Sequence, residues 1–315
     1  MKTNSSQPYL SIVVPVHNEE DSLGPLAERL YPSIQALGKS FEIILVDDGS
    51  RDRSLNIMQN MVREFTGVKV LELNGNFGQH MAILAAFEAS RGEIVVTLDA
   101  DLQNPPEEIP RLVAEIEKGH DVVGTIRRHR QDSLFRRLAS RIVNITTNKM
   151  TGMAMNDYGC MLRAYGRGVV ENINRCGEST TFIPALAQSF ASNPVEIEVG
   201  HAERTAGESK YSLYKLIRLN FDLMTGFSVM PLQLFALSGI LISVLSLAFA
   251  LFLLLRRFWV GAEVEGVFTL FAILFFFVGI IILGIGIVGE YVGRIYQEVR
   301  KRPRYVVRNS YGFSE

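Results

Sequence analysis

The chain has 315 residues, 48% hydrophobic and 21% charged, with a formal net charge of −1 at pH 7 and two cysteines. That length holds one large domain or two smaller ones, and the near-neutral balance leaves no basic field for nucleic acid. Cys160 and Cys176 make no disulfide or metal framework and are most simply reduced thiols of a cytosolic domain.

Residues 1–8 are polar and lack an apolar signal region. From there strand and helix patterns alternate. Residues 10–16 are apolar and extended, and 21–37 have helical spacing. A second strand over 42–46 leads to a helix over 53–65, and a third over 68–73 to a helix over 79–90. Residues 94–98 are β-branched and continuously apolar, as in a parallel strand covered on both faces. A fifth strand begins over 121–124. Repeated βα units predict a mostly parallel sheet with helices on both faces.

Beyond residue 211 the hydropathy changes. Residues 212–228 place Leu213, Leu216, Ile217, Phe221, Met224 and Phe227 at helical steps, opposite Lys215, Arg218 and Asp222. This amphipathic helix either lies in a membrane interface or packs on the globular domain. Residues 232–255 and 267–289 are uncharged. At about 1.5 Å per residue each reaches roughly 35 Å, enough to cross a hydrocarbon core. Lys and Arg flank the pair on its outer sides, which predicts a cytoplasmic N-terminal domain and C-terminus. The expected organisation is a globular domain over 1–211, an interface helix over 212–230, two spans within 231–290, and a basic cytoplasmic tail over 291–315.

Polar residues collect where the strands end. Pro15-Val16-His17-Asn18-Glu19 follows the first, Asp47-Asp48-Gly49-Ser50 the second, and Asn74-Gly75-Asn76-Phe77-Gly78-Gln79-His80 the third. Each alone serves as a turn. Gathered at one sheet edge, they suit a base, a ribose and phosphates. The fourth strand runs into Asp99-Ala100-Asp101-Leu102-Gln103-Asn104-Pro105-Pro106-Glu107. Asp99 and Asp101, two apart, project to one side of extended chain. With Gln103 they offer hard oxygen ligands of the kind that Mg²⁺ or Mn²⁺ takes. Asn104 suits the N-cap of the helix that follows, and Glu107 its capping box. There is no Walker sequence and no Gly-x-Gly-x-x-Gly, which excludes P-loop and dinucleotide sites. Arg127, Arg128, Arg130, Arg136, Arg137 and Arg141 form a basic stretch after the fifth strand, suited to phosphates or to a solvated or lipid-facing surface.

Three of these segments, Val14-Pro15-Val16-His17-Asn18-Glu19, Val46-Asp47-Asp48-Gly49-Ser50 and Leu98-Asp99-Ala100-Asp101-Leu102-Gln103, resemble the family 2 glycosyltransferases with the GT-A fold. The hydrophobic pair narrows the resemblance to the polyprenyl-phosphate glycosyltransferases. The segments at 99–113, 121–125, 157–165, 201–211 and 289–296 bring it closest to the branch that uses 4-deoxy-4-formamido-L-arabinose. The resemblance implies an α/β, GT-A catalytic domain followed by an amphipathic interface helix and a two-helix transmembrane hairpin. It implies inverting transfer from a UDP-sugar to undecaprenyl phosphate at the cytoplasmic face of a bacterial inner membrane, in lipid A modification and polymyxin resistance. A homotetramer among membrane lipids is implied as well.

By the same resemblance Pro15, Asn18, Glu19, Asp47 and Asp48 hold the nucleotide. Asp99, Asp101 and Gln103 bind a divalent metal and the diphosphate, with Asp99 facing the ribose in some members. Asp157 matches the residue proposed as general base. Arg163, Arg204 and Lys210 match basic positions near the phosphates, and Arg127 and Arg128 of the basic stretch, with Ser209, are further candidates for the donor or acceptor phosphate. His17 stands where relatives often have Tyr, and Gly75 where they often have Arg, which removes contacts made by that ring or guanidinium. Transfer of glucose or another sugar to a polyprenyl phosphate would use the same phosphate machinery and is the alternative within the family. Two other classes compete with this reading. A non-catalytic nucleotide-sugar-binding scaffold would have no use for Asp99, Asp101, Gln103 and Asp157 together. A processive polysaccharide synthase carries Gln-x-x-Arg-Trp, whereas the sole Trp259 here lies between the two spans.

Overall fold

The computed structural model describes residues 7–127, 160–176, 182–200, 230–260, 267–300 and 302–313. The chain forms two compact units, one of Met1–Lys210 with Lys301–Glu315, the other of Tyr211–Arg300.

The first unit opens with β1 (Leu10–Val16), α1 (Leu23–Gln35), β2 (Phe41–Asp47), α2 (Ser54–Glu64), β3 (Val68–Leu73), α3 (Gln79–Ala89) and β4 (Ile94–Thr97). It continues through α4 (Ile109–Glu117), β5 (Val122–Arg127), β6 (Arg163–Gly166), α5 (Arg167–Arg175), α6 (Ile183–Phe190) and β7 (Pro194–Val199), and ends in β8 (Val307–Tyr311). The strands make one sheet in the order β7-β5-β6-β4-β1-β2-β3-β8. The pairs β4-β1, β1-β2 and β2-β3 are parallel, so these four strands end at one edge. β6 and β8 run antiparallel to their neighbours.

β1 is buried along nearly its whole length because it lies mid-sheet with helices over both faces. The core joins β1, β2 and β4 to α1, whose Leu23, Leu26, Leu30 and Ile34 are buried at helical spacing. α3 buries Ala82 to Phe87 without a break, as a helix enclosed on every side does.

Three expectations are corrected. The fourth strand stops at Thr97, and Ala100 and Asp101 form a turn with Leu102 at φ 61°. Strand alternation therefore does not set the directions of Asp99 and Asp101. Asn104 is not a helix N-cap either: a 3-10 turn over Pro106–Glu108 comes first, and α4 starts at Ile109. The residue before a proline is pushed out of the helical region, and Pro105 at ψ 125° is extended ahead of Pro106. Glu107, expected in a capping box, pairs instead with Arg29 of α1 at 2.9 Å.

The sequence reading put no strand in the C-terminal segment, yet Val307–Tyr311 pairs with β3. Its one-residue bulge leaves Arg308 opposite no partner of its own: Glu72 pairs with Asn309 and Leu73 with Val307.

The second unit contains α7 (Met230–Val260) and α8 (Val267–Arg300). The Phe235 ring of α7 packs where a Cβ on Gly284 of α8 would lie. Large apolar side chains stay exposed along both helices, among them Leu237 and Ile240 at 62% and Ile285 at 66%. Among the described residues one stretch, Phe276–Arg300, is long and apolar enough to cross a membrane.

Candidate active site at the carboxyl edge of the sheet

The loops after β1, β2 and β3 are tied to one another by side chains the sequence had singled out. Asn18 takes the left-handed conformation at φ 57°, which asparagine tolerates better than most residues. Its Oδ1 accepts the Arg51 N–H at 2.8 Å, and its own N–H donates to Ser50 Oγ at 3.1 Å. The Glu19 N–H donates to Ser54 Oγ at 2.9 Å, and Ser22 Oγ donates to the Glu19 carboxylate at 2.9 Å. His17 Nδ1 lies 2.8 Å from the Asp48 carbonyl oxygen, and the Asn76 amide approaches the same ring at 3.2 Å.

Asp47 and Asp48 are both buried. The Asp48 carboxylate accepts the N–H groups of Phe77 at 2.7 Å and Gly78 at 2.9 Å, joining the second loop to the third where α3 begins. Between these loops Gly49 sits at φ +68°, and a Cβ there would fall 2.6 Å from the Gly75 carbonyl carbon. Only glycine permits that approach. Asp47 accepts the Ser50 N–H at 3.2 Å. Burial pushes its carboxyl above the usual range, with the Glu72 charge adding to the rise and the Ser50 hydrogen bonds opposing it. Pro15 is half-buried within β1, in register with Val46.

Asp99 and Asp101 are half-exposed. Asp99 Oδ1 accepts the Gln79 side-chain amide at 2.6 Å, which brings the fourth loop to the start of α3. Asp101 Oδ1 accepts the Gln103 N–H at 3.1 Å and closes its own turn. The two carboxylates and the Gln103 amide are oxygen donors suited to Mg²⁺ or Mn²⁺, and Mg²⁺ takes one or two carboxylates and completes its shell with waters and substrate phosphates. Among the described residues no set of three or more His, Cys, Asp or Glu gathers into a cage. The donor set fits an ion shared with a diphosphate.

Several residues near this edge escaped the sequence reading. Gln79 was quoted only as part of its loop, although a polar residue at the first position of a helix beside a strand end is where such a contact forms. Asn104 is buried, and its Oδ1 accepts from the Cys160 thiol at 3.4 Å; Thr125 Oγ1 lies 2.8 Å from the same sulfur. This chain of contacts joins the Asp99–Asn104 loop to the segment that leads into β6. His80 is another. Burial lowers its pKa to about 4, its Nδ1 is buried with no hydrogen-bond partner, and the Phe182 ring meets it edge-on at 5.0 Å.

Arg163, expected near a phosphate, opens β6. It is 1% exposed, its Nε donates to the Cys160 carbonyl at 2.8 Å, and its guanidinium lies over Gly124 beside Glu196. Arg127 ends β5. Asp157, Arg128, Arg204, Ser209 and Lys210 lie outside the described residues, as do residues 212–229 of the expected interface helix.

Comparison with known proteins agrees with this architecture. Residues 11–173 match the model of glycosyl transferase family 2. The chain is 52% identical over 304 residues to a protein of Edwardsiella ictaluri named undecaprenyl-phosphate 4-deoxy-4-formamido-L-arabinose transferase, covering 96% of this chain and 94% of that one. A protein of the same name from Pseudomonas aeruginosa is 54% identical over 301 residues, with 95% and 89% covered. In structure, glucosyl-3-phosphoglycerate synthase of Mycobacterium tuberculosis, solved with Mn²⁺ and UDP-glucose, superposes with a TM-score of 0.52 at 18% identity, over 69% of this chain and 77% of that one. At that identity the likeness speaks for the GT-A-like fold alone. The chain is a glycosyltransferase and belongs to glycosyl transferase family 2, where it resembles over nearly its whole length the proteins named undecaprenyl-phosphate 4-deoxy-4-formamido-L-arabinose transferase.

Proposed function

We propose that this chain transfers 4-deoxy-4-formamido-L-arabinose from its UDP derivative to undecaprenyl phosphate, with inversion at the anomeric carbon, in lipid A modification. The observation that carries the reading is the similarity to the named transferases over 96% of the chain, which takes in the catalytic unit and both long helices. An oxygen of the lipid phosphate attacks the anomeric carbon, the bond to the diphosphate breaks, and UDP leaves with the electron pair. Asn18, Glu19, Asp47 and Asp48 shape the nucleotide cradle, with Pro15 beneath it. Asp99, Asp101 and Gln103 would hold a divalent cation, which supplies neutralisation of the departing diphosphate. Arginines of the 127–141 stretch, Arg204 and Lys210 bring two anions together. A phosphate monoester has its second pKa near 6, so the acceptor is already largely dianionic at neutral pH. Asp157 therefore orients the acceptor site rather than generating the nucleophile.

Placement at a membrane is supported by the long apolar stretch Phe276–Arg300 within α8. β8 lies in the same sheet as β1–β3. The chain before and after residues 211–300 thus belongs to one domain, which supports an even number of crossings. α7 and α8 would supply two, with residues 212–230 at the interface and the catalytic unit in the cytoplasm.

The test is to incubate membranes containing the protein with labelled UDP-sugars and undecaprenyl phosphate. Label in a single-sugar lipid, with the 4-formamido donor preferred, is the expected result. Label in a polymer would establish a synthase, and bound donor without transfer a binding protein. A membrane-impermeant thiol reagent added from outside should reach a cysteine at Ala262 and not one at Ser310. Labelling at Ser310 would reverse the orientation.

A further inference from the structure

Glu72 is a carboxylate whose surroundings the transfer reaction does not explain. It sits on β3 and is 7% exposed. In register beside it on β2 stands Asp47, 3% exposed. Register partners on neighbouring strands project to the same face of a sheet. Two buried carboxylates side by side repel each other unless donors hold one of them elsewhere.

β8 supplies those donors. Asn309 Nδ2 donates to Glu72 Oε2 at 2.7 Å, and the Tyr311 hydroxyl to the same oxygen at 3.0 Å. Asn309 and Tyr311 are two apart and so share one face of β8. Arg308, the bulged residue, reaches Glu72 Oε1 at 3.5 Å. It is 64% exposed and contributes least. Because β3 lies between β2 and β8, these donors reach the Glu72 carboxylate from the flank opposite the strand of Asp47, while its charge still acts on Asp47 and raises that carboxyl. β8 also reaches the third loop: the Asn74 N–H donates to the Val306 carbonyl at 2.8 Å.

We infer that β8 is a positioning element for the donor site: Asn309 and Tyr311, aided by Arg308, hold the Glu72 carboxylate off Asp47 and so preserve the Asp47–Ser50 turn and the loop at 74–78 that cradle the nucleotide. None of the three touches the nucleotide, and each acts through Glu72. The inference rests on the nucleotide role proposed for Asp47. It adds a specific mechanism, in which the charge on Glu72, rather than the mere presence of a strand, governs donor affinity.

The experiment uses the full chain in detergent or nanodiscs, with UDP and Mg²⁺ as the probe. The readouts are the UDP dissociation constant and amide hydrogen exchange at residues 49–50 and 74–78. The double substitution Asn309→Ala with Tyr311→Phe should weaken UDP binding roughly tenfold, within the range of coupling between sites, and should speed exchange in both loops. Adding Glu72→Gln to that background removes the stranded charge and should return both readouts to near wild type. Should the double variant fail to fold, Tyr311→Phe, which deletes one hydroxyl, carries the same comparison. Unchanged UDP binding and exchange in the variants would overturn the inference. So would a defect that Glu72→Gln leaves in place, since that is the behaviour of a strand with only a structural role. Asp47→Asn separates this result from the underlying reading. If that substitution leaves UDP binding intact, the nucleotide role of Asp47 falls, and the exchange rates alone still report whether β8 governs the loops through Glu72.

Discussion

Two pairs of aspartates end neighbouring parts of the same sheet edge and meet opposite fates. Asp48 is buried and spent on the backbone: its oxygens take two N–H groups of the third loop, and Asp47 takes one of its own turn. Asp99 and Asp101 are half-exposed, one steadied by the Gln79 amide and the other closing a short turn. In the proposed reaction the first pair shapes the rim of the site and the second holds the cation. The structure separates the two pairs by burial: the first is withdrawn from water and the second is half-exposed.

Asp101→Asn should give the largest effect. It removes the charge proposed to hold the cation while a carboxamide keeps the acceptor for the Gln103 N–H, so transfer should fall by on the order of 10³. An active variant, or undiminished transfer in excess chelator, would place Asp101 with the scaffold. Asp48→Ala should act on the other side of the comparison. With two buried N–H groups stripped of their acceptor, the globular unit should lose on the order of 3 kcal/mol, a drop of roughly 10 °C in Tm. A variant that melts like wild type would show that the loops hold without this carboxylate.

Asp47→Asn should change stability least. Its carboxyl is raised by burial, so the ionised form is disfavoured in the folded state. For a carboxyl shifted upward, that cost is present above the folded pKa and vanishes below the unfolded one. At pH 7 the amide variant should therefore match or exceed wild type in stability. The gap should close as the pH falls toward the ordinary carboxylate range. Chemical denaturation at pH 7 and pH 4.5 checks the sign. A variant less stable than wild type at pH 7 would mean that Asp47 earns its place by folding alone.

How much of this was legible in the sequence depended on range. Strands β1 to β4 announced themselves because each is a local apolar run, and the edge they share followed from repeated βα units. Residues 68–73 were placed to the residue. Asn104 was misread because a capping pattern and two consecutive prolines compete, and proline geometry prevails locally. β6 is only Arg163–Gly166, led by an arginine that the interior conceals. A buried guanidinium leaves no signature in sequence, since exposure is the ordinary fate of that side chain. β8 reads Val-Arg-Asn-Ser-Tyr, with no alternation to mark it and a partner strand far back in the chain. Its attachment depends on Glu72, which nothing near residues 307–311 reveals.

That distant partner bears on how the chain is made. Glu72 and Tyr311 are 239 residues apart. At a synthesis rate of about 5–20 residues per second, roughly 12–50 s separate the appearance of β3 from that of the strand completing its sheet. Throughout that interval the ribosome has yet to release the last edge, while both apolar helices are delivered first. The nascent sheet thus waits with an open flank, where unpaired backbone invites other chains to add on. Maturation of the catalytic unit becomes a late event, timed by the completion of the segment that follows it.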